Sequence, residues 1–337
     1  MTFDYTAAPE ARQKAVAQLV ETLKADTRPI LIGPWKSEVG FEALYWLPFL
    51  TRLAKQVLGF DARASVVTRG GLAPLYRGVA HQGMDLYALR RVSDIRRENL
   101  YQAKKSGSQK QHLETPYDVS VLRDAADALD LRDPHILHPA WMYWALSPFW
   151  NEDVGRVYLQ SLTDYTVLPR PTLDDPEMTL PPAYVAMKLY ARHTLPYPNA
   201  EVSDALKRLV ATIAAQVPVV VLASGNEYDD HHDIPLAGEN LHYLPDDLPP
   251  EQNLLVQAAL ISKATAFVGT YGGSAQLALR LGIPSVSLWQ HFGGTCAAHL
   301  DLSYAIARAT GTPFVAGSLV DLDLWRQCIA VPVRKAA

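Results

Sequence analysis

The sequence predicts an α/β protein built of two parallel-sheet halves, and three observations carry that prediction. Strands alternate with amphipathic helices along the C-terminal half, the N-terminal half opens in helix–strand–helix order, and a proline cluster separates the two. At 337 residues the chain suits two domains, since a domain takes roughly 100–200 residues. Pro169, Pro171, Pro176, Pro181 and Pro182 fall within one short stretch. Proline fixes φ and removes a backbone donor, so this stretch is neither central strand nor helix. It reads as a linker. The expected organisation is a Rossmann-like N-terminal domain at 1–170, a linker at 171–182 and a Rossmann-like C-terminal domain at 183–317. A helix within 318–337 would be able to pack back on the N-terminal domain, and the two domains would face a central cleft.

In chain order, the N-terminal half shows a helix over about 8–25 and the short apolar strand Pro29–Gly33. A long helical segment follows from Ser37 to Leu58, with a kink expected at Pro48. Residues 64–68 and 85–89 read as strands, and 118–130 and 152–165 as helices. After the linker, Ala183–Tyr190 is a nearly continuous apolar run, as in a strand buried on both faces. Glu201–Gln216 carries Val202, Leu206, Leu209, Val210 and Ile213 at helical spacing. Strands at 217–224, 241–245, 266–270, 285–289 and 312–316 then alternate with helices across Gln252–Lys263, Ser274–Leu281 and 296–309.

Composition narrows the function. The chain is 49% hydrophobic and 20% charged, with a net charge of −4. That is a globular composition, and the charge excludes nucleic acid as a bulk ligand. Cys296 and Cys328 form no C-x-x-C pair, which points to a reducing compartment. The N-terminus lacks the basic-then-apolar order of a signal peptide, and no apolar run is long enough to span a bilayer. A cytoplasmic protein is expected, with peripheral contact to the inner membrane as an option.

Four segments can carry chemistry. Gly33–Trp46 follows a strand and opens a helix; Ser37 reads as its N-cap, and Glu38 and Glu42 lie four apart on one helical face. A carboxylate at the carboxyl end of a parallel strand could take a proton from an attacking hydroxyl. The bland alternative is a helix-dipole contact for Glu38 and a solvated position for Glu42. In the second segment, the strand at 266–270 ends in Gly269 and a turn, Tyr271-Gly272-Gly273-Ser274, that opens the next helix. Such glycines let backbone amides approach an anion. No G-x-G-x-x-G or Walker-type loop occurs, which disfavours a nicotinamide cofactor and the usual P-loop nucleotidases. In the third, Lys188, Arg192 and His193 gather cationic groups at a strand exit, suited to a diphosphate or else simply surface charge. The fourth, Asp229 to Asp233 with His231 and His232, invites a metal reading, but adjacent loop residues rarely converge on one ion, and a polar loop is preferred.

The stretch Val268–Ser274, continuing through Leu279 to Gly282-Ile283-Pro284, resembles the donor-site turn of GT-B fold glycosyltransferases. Gly33-Pro34-Trp35 with Glu38, Gly40 and Glu42 is similar to a G-P-W-x-x-E-x-G-x-E pattern of bacterial polysaccharide glycosyltransferases. The resemblance in fold covers nearly the whole chain, while the sharp matches are confined to these two stretches. Nucleotide-sugar epimerases share the later turn. Gln276 stands where many retaining members hold the donor ribose with a glutamate.

The resemblance implies a nucleotide-sugar donor held by Lys188, Arg192, His193, Gly269, Tyr271, Gly272, Gly273, Ser274 and Gln276. It implies a glycan, glycolipid or polysaccharide-precursor acceptor at Trp35, Arg96 and Arg97. Glu38 would be the general base, with Glu42 in reserve, and transfer would need no metal or other cofactor and would invert the sugar carbon. The alternatives are an epimerase or hydrolase on the same scaffold, or a non-catalytic nucleotide- or sugar-binding protein. Two further segments bear on the acceptor. Residues 90–110 carry Arg90, Arg91, Arg96, Arg97, Lys104, Lys105 and Lys110 against Asp94 and Glu98. They suit an anionic acceptor or membrane surface, or else form a solvated loop. The aromatic run His138–Trp150 reads as core, with a sugar-facing wall as the sharper option. The D-x-D at Asp321–Asp323 is read as structural.

Overall fold

A computed structural model describes residues 3–107, 110–173, 180–223, 232–245, 247–293 and 297–321. The chain forms two compact units, residues 1–171 with 249–256, and residues 172–248 with 257–337. Among the described residues no helix is long and apolar enough to cross a membrane.

The first unit contains α1 (Pro9–Ala25), β1 (Ile30–Ile32), α2 (Val39–Phe41), a π-helical turn (Glu42–Trp46), α3 (Leu47–Gln56), α4 (Phe60–Arg63) and β2 (Ala64–Thr68). After a 3₁₀ turn at Ala73–Tyr76 come β3 (Gln82–Asp85), α5 (Leu86–Leu89), α6 (Val92–Ser106), α7 (Pro116–Ala128), β4 (His135–Leu137), α8 (Ala140–Trp150) and α9 (Arg156–Leu162). The four strands form a parallel sheet in the order β3-β2-β1-β4. β1 and β2 are buried along their whole length, as strands covered on both faces must be. One face is packed by α7, whose Val121, Leu122 and Ala125 meet Leu31, Val67, Leu86 and Ile95.

The helical run after β1 is expected from its apolar spacing, but Pro48 is accommodated differently from a simple kink. Proline has no N–H to offer the carbonyl four residues back. Just ahead of it the helix widens by one residue, so that the Leu47 N–H reaches the Glu42 carbonyl. The Leu44 carbonyl that Pro48 leaves vacant instead accepts the Tyr165 hydroxyl at 3.0 Å.

Three local expectations are corrected here. Residues 86–89 form a helix rather than a strand, because the Asp85 carboxylate accepts the Tyr87 N–H at 2.9 Å and caps a helical turn. The basic segment is a helix, α6, ended by Gly107 in the left-handed region, and not a loop. Ser37 is not the cap of the next helix; that position is held by Glu38, with extended backbone angles.

The second unit contains β5 (Val185–Lys188), β6 (Tyr190–Ala191), α10 (Ala200–Ala214), β7 (Val219–Val221), β8 (His232–Asp233), β9 (Leu241–Tyr243) and α11 (Pro250–Lys263), whose opening turns are grouped with the first unit. It continues with β10 (Ala266–Thr270), α12 (Gly273–Arg280), β11 (Ser285–Trp289), α13 (Ala297–Thr310) and β12 (Phe314–Ser318). Six strands form a parallel sheet in the order β12-β11-β10-β5-β7-β9. Counted within this sheet, that is the Rossmann order 3-2-1-4-5-6. α10 is capped by Asn199, whose side chain accepts the Val202 N–H at 3.1 Å, and it buries the five apolar positions that its spacing marks. The fold is thus α/β, with a Rossmann-like sheet in each of two units, as the sequence predicts. Asp229, Asp230, His231 and Asp323 lie outside the described residues, as do parts of the proline cluster and most of the expected C-terminal helix.

Candidate functional site

In an open parallel sheet, ligands bind beyond the carboxyl ends of the strands, at the point where the strand order reverses. In the first unit that point lies between β1 and β4. The chain leaves β1 through Gly33, whose φ of +121° is open to glycine and whose added Cβ would stand 2.5 Å from the Val67 carbonyl oxygen. The turn is pinned by side chains. Gln111 donates to the Pro34 carbonyl and accepts the Lys36 N–H, both at 2.8 Å, and Asn99 donates to the Lys36 carbonyl at 3.2 Å.

The Lys36 ammonium lies 2.5 Å from the Asp118 carboxylate, and both side chains are buried. Asp118 also accepts from Thr115 in a capping box at the start of α7. His138, just beyond β4, places its Nε2 3.4 Å from the same carboxylate. The Ala140 N–H donates to His138 Nδ1 at 3.1 Å and sets the tautomer. Burial alone would raise the Asp118 carboxyl, but the imidazole and the ammonium outweigh it and hold it well below the usual carboxylate range.

Lys36 and Asp118 line a small pocket of about 40 Å³, together with Asn99, Gln102, Lys110, Gln111, His112, Leu113 and Thr115. At its edge the Lys110 ammonium lies 3.3 Å from the Glu38 carboxylate and 3.5 Å above the Phe41 ring. Burial, aided by the Lys110 charge, lowers the His112 pKa, so the imidazole is neutral at physiological pH. Glu38 is part-exposed, with its carboxylate engaged by Lys110.

Glu42 is another matter. It is fully buried, and its Oε1 accepts the Thr68 and Tyr76 hydroxyls at 2.7 and 2.6 Å. The reserve role for Glu42 as base is corrected by this burial, since no substrate reaches it. Burial pushes its carboxyl up to about 7, from an ordinary value of 4.5. Between those values the native state holds the additional proton, so this group's contribution to stability falls as pH rises. Glu42→Gln mimics the protonated form. Urea unfolding is expected to find the variant equal to wild type near pH 4.5 and more stable above about pH 7, by about 3 kcal/mol.

Trp35 is also buried, stacked between Trp46 and Tyr143 at ring separations of 6.0 and 6.2 Å. It supports the pocket turn from within, which corrects its expected place on the acceptor. Arg96 and Arg97 are exposed on α6 and do not line the pocket.

In the second unit the order reverses between β5 and β10, and the predicted donor residues gather there. Thr270 Oγ1 accepts the Tyr190 N–H and donates to the Tyr190 carbonyl, each at 3.0 Å, which ties the two strand exits together. The Tyr271 N–H is taken by the Leu288 carbonyl at 2.9 Å, and its ring packs edge-on against Trp289. The amides of Gly273 and Ser274 open α12, where a helix has no acceptor of its own for them. Gly272 is a glycine for want of room: a Cβ there would overlap the Tyr190 hydroxyl, with Arg192 Nη1 3.9 Å away. Gly269 serves the sheet, because its missing side chain would collide with the Lys188 carbonyl and the Phe267 ring.

Lys188 donates to Gln257 Oε1 at 2.8 Å and lies 4.0 Å from Asp233. Arg192 and Leu195 exchange two backbone bonds of 3.0 Å, turning His193 outward. Gln276 is buried in the first turns of α12. Among the described residues, no group of three or more His, Cys, Asp or Glu side chains is gathered to hold a metal ion.

Sequence reasoning missed the pocket residues Gln111, His112 and Asp118, His138 beside Asp118, and Gln257 beside Lys188. A signal existed for one of them: Thr115-Pro116-Tyr117-Asp118 is legible as a capping box with proline in the first turn.

The fold and these two strand-exit sites define a two-unit α/β protein with a Rossmann-order sheet and a glycine turn at its switch point. No family model matches the sequence, and no curated protein matches it. Among solved structures of GT-B enzymes, it is similar to the dodecameric iron-containing glycosyltransferase TibC of enterotoxigenic E. coli, at 13% identity and a TM-score of 0.42, over 77% of this chain. The chain spans 58% of the length of that protein. It is similar also to a family 9 glycosyl transferase of Veillonella parvula, at 11% identity and a TM-score of 0.44, over 92% of each chain. A UDP-GlcNAc 2-epimerase from Methanocaldococcus jannaschii is similar at 9% identity and a TM-score of 0.37, over 92% of this chain and 93% of that one.

Proposed function

We propose that the protein is a glycosyltransferase that moves a sugar from a nucleotide donor to a hydroxyl of a glycan, glycolipid or polysaccharide precursor. The observation that carries this reading is the Gly272–Ser274 turn, placed with Arg192 and Lys188 at the switch point of the six-stranded sheet. That is where a Rossmann-order sheet receives a nucleotide, and the amides opening α12 together with the Arg192 guanidinium suit a diphosphate. Lys188, held by Gln257, adds a cationic group at the exit of β5. In the first unit, the pocket beside Glu38 offers amides, paired charges and a neutral imidazole, a set suited to sugar hydroxyls.

In this mechanism the acceptor oxygen attacks the anomeric carbon and gives its proton to Glu38. A carbon–oxygen bond forms as the bond to the diphosphate breaks, with inversion at that carbon. The negative charge developing on the leaving diphosphate is met by the helix amides and the cationic side chains, so no metal is required in this reading.

Thermal unfolding with nucleoside mono- and diphosphates tests the donor site. A ligand at a hundredfold excess over its Kd stabilises by about 2.7 kcal/mol, so a clear rise in Tm is expected for at least one nucleoside diphosphate. No response to any nucleotide would remove the reading. Rapid donor breakdown without an acceptor would favour an epimerase or hydrolase instead.

A further inference from the structure

α6 has two faces with different tasks. Its inner face buries Ile95 in the core and sends Asn99 and Gln102 into the pocket. Its outer face presents Arg96, Arg97, Lys104 and Lys105, all exposed. Among them stand Leu100 and Tyr101, 49% and 57% exposed. At 100° per residue, Arg96, Leu100, Lys104, Arg97 and Tyr101 fall on one side of the helix. The acid nearest this face, Asp94, pairs with Arg97 at 2.9 Å. The remaining cations make a local positive strip on a protein whose net charge is −4.

We propose that this face of α6 docks on an anionic phospholipid bilayer. Lys104 and Lys105 also complement the carboxyl end of the helix dipole, but Arg96 near the opposite end does not. Charge alone would suit any polyanion. The two apolar side chains set between the cations favour a membrane: leucine enters the acyl boundary, tyrosine sits at the headgroups, and the long basic stems reach up to the phosphates. A nucleic-acid backbone makes no use of an exposed leucine. Docked in this way, the helix holds its pocket-lining face directly behind the lipid surface. Resting on the glycosyltransferase reading, this makes the acceptor a lipid-linked hydroxyl compound drawn from the bilayer.

The test is co-sedimentation of the full chain with vesicles of phosphatidylcholine alone and of phosphatidylcholine with phosphatidylglycerol in equal parts. Wild type is expected to pellet with the anionic vesicles only, and to be released by high salt. Arg96→Glu with Lys104→Glu is expected to weaken binding at least about tenfold. Leu100→Ser with Tyr101→Ser is expected to weaken it severalfold at unchanged charge. All four side chains are exposed, and circular dichroism confirms that each variant folds. Equal binding to both vesicles, or binding that neither pair of substitutions alters, would overturn the proposal. So would displacement of the vesicles by duplex DNA at equal phosphate concentration, with Leu100 and Tyr101 making no difference. Vesicle binding is measured without donor, and nucleotide stabilisation without vesicles, so failure of one reading is told apart from failure of the other.

Discussion

Replacing Glu38 by Gln is expected to lower the rate of sugar transfer by about 10²–10⁴-fold, the usual contribution of a positioned general base. The amide keeps the shape of the side chain and loses the ability to accept a proton. Glu38 lies at the start of α2, part-exposed at the edge of the pocket, with its carboxylate 3.3 Å from Lys110. Lys110 lines the pocket and is itself held over Phe41. The effect should fall on turnover. Stabilisation by a nucleoside diphosphate at the donor site proposed in the second unit is expected to be unchanged, and Glu38→Asp should recover part of the rate. Near-normal transfer by Glu38→Gln would sink the assignment of the base.

Asp118→Ala is expected to cost about 3–5 kcal/mol of stability, because it leaves the Lys36 ammonium buried without its counter-charge. Lys36 and Asp118 have side chains only 3% and 0% exposed, so water cannot replace the lost partner. The variant also loses the capping box of α7, worth about 1 kcal/mol. Trp35, Trp46, Trp141, Trp144 and Trp150 all lie in the first unit, so urea unfolding followed by tryptophan fluorescence reports mainly on it.

The pH dependence has a definite sign. The native carboxyl is held below its ordinary value, so its stabilisation is complete above about pH 4 and fades as pH falls further. The gap between wild type and Asp118→Ala should therefore close on acidification. Adding Lys36→Met should recover much of the loss, since a buried pair replaced on both sides leaves no orphaned charge. A loss under about 1 kcal/mol, or no recovery in the double variant, would show that the pair is not what holds this turn.

Legibility in the sequence follows from the range over which each feature is encoded. α10 and the strands β10 and β11 depend on the order of apolar residues within one element, so periodicity finds them. The glycine turn at 272–274 is legible because its demand for close approach is made by a few adjacent residues, even though Tyr190, the group it approaches, comes from another strand. Residues 86–89 are apolar enough for a strand, and only the Asp85 cap decides for a helix. The basic segment 90–110 is polar enough for a loop, and only the seating of Ile95 in the core shows which of its faces is outward.

By itself, then, the sequence determined the α/β class, the alternation of strands and helices, and the two strand exits where glycines and charged residues meet. Those are properties of neighbours along the chain. The tertiary structure alone decided what the charged residues do. It sank Glu42 into the core behind a widened turn while leaving Glu38 at the pocket, though the two stand four residues apart. It brought Lys36, Asp118 and His138 together from the ends of β1 and β4 and the start of α7. The physical reason is that the free energy of a charge depends on its solvation and its nearest partner, and both are fixed by elements distant in sequence.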